Sequence, residues 1–76
     1  MSKIKVGQIY KIDVTETVFV ITYICGGYVY FVTNVGYADE RKKSLVEQDV
    51  KSNFAKLIAE YPTWQEAVNS KEFNNE

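Results

Sequence analysis

The stretch Thr17–Ala38, TVFVITYICGGYVYFVTNVGYA, contains no charged side chain, although charged residues make up 25% of the chain. A run of this length is long enough to cross a bilayer as a helix. Gly26 and Gly27 interrupt it near the centre, however, and its β-branched and aromatic residues favour strands. The stretch therefore predicts a pair of buried strands and not a membrane span.

The paired glycines predict a β-hairpin. Two eight-residue runs, VFVITYIC and YVYFVTNV, flank Gly26 and Gly27, and a Gly-Gly pair supplies the positive φ that a tight hairpin turn needs. With the glycines at the turn, the predicted cross-strand pairs are Cys25 with Tyr28, Ile24 with Val29, Tyr23 with Tyr30, and Thr22 with Phe31.

Period-2 alternation divides the hairpin into two faces. The aliphatic face is the expected core and carries Val18, Val20, Thr22, Ile24, Val29, Phe31, Thr33 and Val35. The tyrosine-rich face carries Phe19, Ile21, Tyr23, Cys25, Tyr28, Tyr30, Val32 and Asn34. Because both faces are largely apolar, both need a cover, which a neighbouring strand, the C-terminal helices, another subunit or a ligand could supply.

The flanking segments complete an antiparallel meander over residues 5–36. Residues 6–14 alternate as a first strand with one wetter face, and residues 36–43, GYADERKK, are expected to form a polar loop. The expected fold class is α+β: a small antiparallel β meander, with an SH3-like barrel as its closed form, and a C-terminal helix.

Residues 44–61 support two interpretations. As one helix, they place apolar residues on a single stripe, and Ser44 with Glu47 forms a capping box. As strand, single helical turn and strand, they resemble the end of an SH3-like barrel, which the weak helix formers Asp49, Ser52 and Asn53 favour.

Residues 63–73 predict a helix. Thr63 is a natural N-cap and Glu66 completes a capping box. Trp64 is expected to anchor the helix on the sheet, and Phe73 falls off the apolar stripe if the helix continues that far.

Composition restricts the function. The chain of 76 residues is expected to form one domain (residues 1–76), and its net charge of −1 is unlike that of duplex-binding proteins. A lone cysteine, Cys25, and no recognisable signal peptide predict a cytoplasmic protein. With no histidine and no metal or catalytic motif, we expect neither an enzyme nor a metal or cofactor site.

The segments KVGQIYKI and LIAEYPTWQEAVNSKEF, together with the tyrosine-rich hairpin, resemble small orphan proteins encoded by phages and prophages of low-GC Gram-positive bacteria. Some proteins of this size and origin block host defences by binding a nuclease, another host protein or a nucleotide signal. The resemblance therefore implies a non-catalytic binding protein, acting in the bacterial cytoplasm as an inhibitor of a host protein or by sequestering a nucleotide. It assigns no site residue.

Aromatic and basic residues give the candidate site. The hairpin tyrosines could form a platform for a partner or a base, and the nearby basic run could contact phosphate. The predicted ligand-binding or partner-binding residues are Tyr23, Tyr28, Tyr30, Tyr37, Arg41, Lys42 and Lys43.

The alternative function is a small nucleic-acid-binding module that uses tyrosine stacking and a basic loop. In a further interpretation, the tyrosines simply pack under the C-terminal helix. Leftover apolar surface is also compatible with a homodimer.

Overall fold

The chain reverses at Gly26 and Gly27, as predicted. Their φ angles of +57° and +81° suit a tight turn in which both central residues have positive φ. The computed structural model describes residues 4–74. In chain order the elements are β1 (Gln8–Ile12), β2 (Thr17–Cys25), β3 (Tyr28–Thr33), β4 (Ala38–Lys42), α1 (Lys43–Lys51), β5 (Ala55–Glu60), α2 (Trp64–Val68) and α3 (Lys71–Asn74).

The strands form one antiparallel sheet in the order β4-β3-β2-β1-β5. The fold is thus α+β, with the predicted meander extended by β4 and with β5 returning beside β1. Within residues 4–74, β4 and β5 are the two edges, and the sheet is not closed. No helix of this part of the chain is long and apolar enough to cross a bilayer.

The predicted loop at residues 36–43 is wrong, because residues 38–42 form β4. Gly36, with φ +80°, lies in the turn after β3, and the backbone N–H of Thr33 donates to the carbonyl of Tyr37 at 2.7 Å. All five residues of β4 are exposed. An edge strand can carry charges in water while its backbone pairs inward, so a polar composition does not exclude a strand.

Neither interpretation of residues 44–61 is correct as a whole, because the segment contains helix α1 and then strand β5. The first strand of the strand–turn–strand interpretation is wrong, because α1 occupies that part of the segment, whereas its last strand is present as β5. The capping box of Ser44 does not form, since Lys42 is the N-cap and makes no side-chain cap bond. The helix ends where Asn53 adopts φ +67°. The N–H of Phe54 then donates to the carbonyl of Asp49 at 2.9 Å, which is the bonding of a Schellman motif.

The predicted C-terminal helix is two short helices. Thr63 caps α2 as predicted, because its Oγ1 accepts from the N–H of Glu66 at 3.2 Å. The hydroxyl of Ser70 donates to the carbonyl of Ala67 at 2.6 Å, and the chain turns there into α3. This turn brings Phe73 into the core, whereas Trp64 remains 37% exposed. The expectation that Trp64 anchors the helix is therefore wrong.

A β-bulge at Thr22 exchanges the two predicted faces along part of β2. Ile21 pairs with Phe31 and Tyr23 with Tyr30, so Thr22 has no cross-strand partner, and its hydroxyl donates to the carbonyl of Tyr30 at 3.2 Å. The predicted pair of Thr22 with Phe31 is wrong, and the other three pairs are right. Since one extra residue flips side chains to the other face, the face assignment fails for residues 18–21 and holds beyond the bulge.

Two apolar clusters cover the two faces of the sheet. The cluster on the α1 side contains Ile4, Tyr10, Phe19, Ile21, Val29, Val46 and Ala55. The cluster on the α2–α3 side contains Ile9, Val18, Val20, Ala67 and Phe73. The sheet therefore has two thin cores instead of one, each closed by short helices.

Replacing Gly7 with Ala is expected to lower the free energy of unfolding by about 3 kcal/mol, because two costs add. Gly7 has φ +94°, and a Cβ there would overlap the backbone carbonyl of Tyr61. Gly36→Ala is the matched control: φ is +80°, but a Cβ would meet open space, so only the backbone cost of about 1 kcal/mol applies. Urea unfolding measures both, and equal losses would contradict the close approach of Gly7 to Tyr61.

Candidate functional site

The end of the hairpin nearest the paired glycines presents three tyrosines on one surface. By register, Tyr23 lies opposite Tyr30 and Cys25 opposite Tyr28, on the side of the sheet that carries α2 and α3. The side chains of Tyr23 and Tyr28 are 57% and 38% exposed. The rings of Tyr23 and Tyr30 contact each other, with centroids 5.7 Å apart at 48°. We call Tyr23, Cys25, Tyr28 and Tyr30 the tyrosine face.

The tyrosine face is exposed because the covering helices are short. α2 and α3 contain five and four residues, which corresponds to about 6–8 Å of helix each. They pack on β1 and β2 near Val18 and Val20, which are 3% and 0% exposed. On this side of the sheet, the side chains at the base of the hairpin are therefore buried, whereas those at its tip are exposed to solvent.

Strand β4 places one acid and one base beside the tyrosine face. Glu40 pairs with Tyr30, and Lys42 pairs with Tyr28. The negative charge of Glu40 raises the pKa of Tyr30 above its ordinary value, with burial as a smaller cause. Lys43 is nearby, since its backbone N–H donates to the carbonyl of Gly27 at 2.8 Å. The two lysines and Tyr28 line an open depression of about 550 Å³ beside the turn.

The structure divides the predicted set of seven site residues. Tyr23, Tyr28, Tyr30, Lys42 and Lys43 lie together at the tip of the hairpin. The other two, Tyr37 and Arg41, do not join them.

Arg41 and Tyr37 are separated from the tip because residues 38–42 form a strand and not a loop. Alternation along β4 puts Arg41 on the α1 side, where its Nη2 contacts Asp49 Oδ2 at 3.1 Å. Tyr37 precedes β4 at the far end of β3, where its N–H donates to Thr33 Oγ1 at 3.2 Å. The basic loop of the alternative prediction is therefore wrong as a structure.

A second recess, on the α1 side, was missed from sequence. It has a volume of about 270 Å³ and is bounded by residues of β1, β2, β3, β4, α1 and the turn before β4. Only Tyr37 and Arg41 of the predicted residues line it. No local pattern marks such a recess, because it exists only once five separate elements have packed.

Groups suited to covalent or metal chemistry are not assembled at either recess in residues 4–74. Cys25 is exposed, and the chain has no histidine that could serve as its base. No group of three or more Cys, Asp or Glu side chains in the described range could hold a metal ion. What the tyrosine face offers is stacking area and hydroxyl groups, with charges of both signs beside it.

Replacing Glu40 with Gln is expected to lower the pKa of Tyr30 toward its ordinary value, because the Glu40 charge is the largest cause of its rise. Titration of tyrosine Cζ signals by NMR measures the shift. Asp39→Asn is the matched control, since Asp39 pairs with Phe31 and lies on the other face. An equal response of Tyr30 to both substitutions would contradict the placement of Glu40.

Comparison with known proteins identifies no relative. No family model matches the chain, no curated protein matches it and no solved structure matches it. A function for this chain therefore has to be argued from its own side chains, among which the tyrosine face brings exposed aromatic rings together on one surface.

Proposed function

We propose that the protein is a small, non-catalytic binding protein whose tyrosine face holds a partner protein. The observation that carries the proposal is the exposure of Tyr23 and Tyr28 at the tip of a hairpin whose base is buried at residues 18–21 of β2. A small domain gains stability by burying aromatic rings, so rings left outside are available for an interface. Tyrosine is enriched in protein interfaces because its ring is apolar and its hydroxyl still finds a hydrogen-bond partner.

The charges near the tyrosine face favour a protein over a nucleotide. Glu40 lies beside Tyr30, where its negative charge would repel a phosphate group. Arg41 lies on the other face and pairs with Asp49. Of the three predicted basic residues, Lys42 and Lys43 remain near the tip, and Glu47 lines the same depression. Charges of both signs beside aromatic rings suit the polar rim of a protein interface.

Stacking of a base on Tyr28, with phosphate contacts from Lys42, is the alternative. The register that places Lys42 opposite Tyr28 supports it, since aromatic rings with adjacent cations hold single strands and free nucleotides. It would make the protein a nucleic-acid-binding module or a sequestering agent for a nucleotide signal. Its affinity should fall steeply with salt, whereas a largely apolar protein contact should not.

The resemblance to phage-encoded proteins supports a specific kind of partner, a protein of the bacterial host. We propose that the protein acts in the bacterial cytoplasm as an inhibitor of a host protein, as small phage proteins that block host defences do. The pairing of β5 with β1 supports the proposal that the sheet is related to an SH3-like barrel.

A homodimer through β5, whose Leu57 and Ile58 are 47% and 40% exposed, would leave the tyrosine face free.

Affinity capture from lysate of a Gram-positive host, followed by titration of the purified partner, tests the proposal. Tyr23→Ala with Tyr28→Ala is expected to weaken binding at least tenfold, because buried interface tyrosines commonly contribute more than about 1 kcal/mol each. Tyr37→Ala is the matched control: its side chain is 59% exposed but lies at the opposite end of β3, and its affinity should stay within about twofold of wild type.

Two outcomes would count against the tyrosine face as a protein-binding surface. One is equal binding by the double variant and the wild type, with unchanged circular dichroism. The other is a loss of affinity of about a hundredfold or more between 50 and 200 mM salt, on the order expected for several phosphate contacts, which would favour the nucleic-acid alternative.

A further inference from the structure

The recess on the α1 side has the form of a small-molecule site. Its volume is about 270 Å³, whereas a cavity of about 150 Å³ already holds benzene. It could therefore take one ring with a short substituent. The lining residues are Ile12, Thr17, Phe19, Phe31, Thr33, Val35, Tyr37, Arg41, Val46 and Asp49.

The apolar wall of the recess is held in place by its own ring contacts. Phe19 stacks on Tyr10 with centroids 5.5 Å apart, and it meets Phe31 at 5.1 Å and 52°. Tyr10 is 2% exposed and Phe19 7% exposed, so both rings are fixed by the core behind them. The recess thus does not depend on a mobile loop for its floor, and pre-formed sites of this kind bind apolar groups at low ordering cost.

The polar wall of the recess is an ion pair whose guanidinium has hydrogen-bond donors that the pair does not use. Arg41 Nη2 contacts Asp49 Oδ2 at 3.1 Å, and the Arg41 side chain is 46% exposed against 24% for Asp49. A guanidinium has five N–H donors in a fork that fits a carboxylate. The contact with Asp49 uses one terminal nitrogen, so the outer donors of Arg41 remain able to meet a second acceptor at the rim.

We propose that this recess binds a small apolar carboxylate, with its ring against Phe19 and Phe31 and its carboxylate on Arg41. The proposal is independent of the tyrosine face, which lies on the opposite side of the sheet. An acid is favoured over an amine because Arg41 is the more exposed partner of the ion pair. The two walls select one ligand class: the rings favour a planar apolar body, and the guanidinium favours a single anionic group.

NMR titration with 3-phenylpropionate tests the proposal, with the neutral 3-phenylpropionamide as its uncharged counterpart. Amide shifts at Phe31, Thr33 and Val46 are expected below about 10 mM, the range for fragments of this size. The acid should bind about tenfold more tightly than the amide, because its bond to Arg41 is charge-assisted.

Substitutions of Arg41 and Asp49 are expected to have opposite effects on acid binding, and this difference distinguishes a ligand-binding role of the ion pair from a structural one. Arg41→Gln should abolish the preference for the acid over the amide. Asp49→Asn should increase that preference about threefold, because it removes the competing carboxylate. Both variants break the same ion pair, so a merely structural role would move acid binding in the same direction in both.

The proposal fails if 3-phenylpropionate shifts no lining residue at about 10 mM, or if both variants weaken acid binding alike. Tyr23→Ala with Tyr28→Ala should leave acid binding unchanged, since those residues lie on the other face of the sheet. Loss of acid binding in that double variant would also overturn the assignment to the α1 side.

Discussion

The β2–β3 hairpin is apolar on both faces, and the described chain keeps them from water with three helices of nine, five and four residues and a few side chains outside the helices, such as Ile4 and Tyr61. A sheet of five strands is wider and longer than such helices can cover. The result is two thin cores, with the α1 helix contributing Val46 to one and the α2–α3 segment contributing Ala67 and Phe73 to the other. Both candidate sites lie where this covering stops.

The features that could be predicted from sequence depend on neighbouring residues. The turn at Gly26 and Gly27 needs only positive φ, and the cap at Thr63 needs only an oxygen three residues before an N–H. The features that were missed depend on tertiary pairing. Residues 38–42 read as a loop because their side chains are polar, yet a sheet edge accepts a polar strand. The bulge at Thr22 carries no local signature, and it reverses the assignment of every residue before it on β2.

The candidate site was partly predictable for the same reason. Tyr23, Tyr28 and Tyr30 lie near one turn, so simple alternation was enough to bring them together. Arg41 and Lys42 are adjacent in sequence, and the alternation of β4 sends them to opposite faces of the sheet. A polar segment that is predicted as a loop gives no indication of this alternation. The recess beside α1 was beyond sequence reasoning, since its walls come from residues as far apart as Ile12 and Asp49.

The bulge at Thr22 also has a consequence for how this chain can change. It separates β2 into a base, whose side chains at residues 18–21 are buried in the two cores, and a tip, where Ile24 packs on the α1-side cluster but Tyr23 and Cys25 are exposed. Substitutions of the exposed tip residues Tyr23 and Cys25 can therefore change the surface of the hairpin while the base keeps its packing in the two cores.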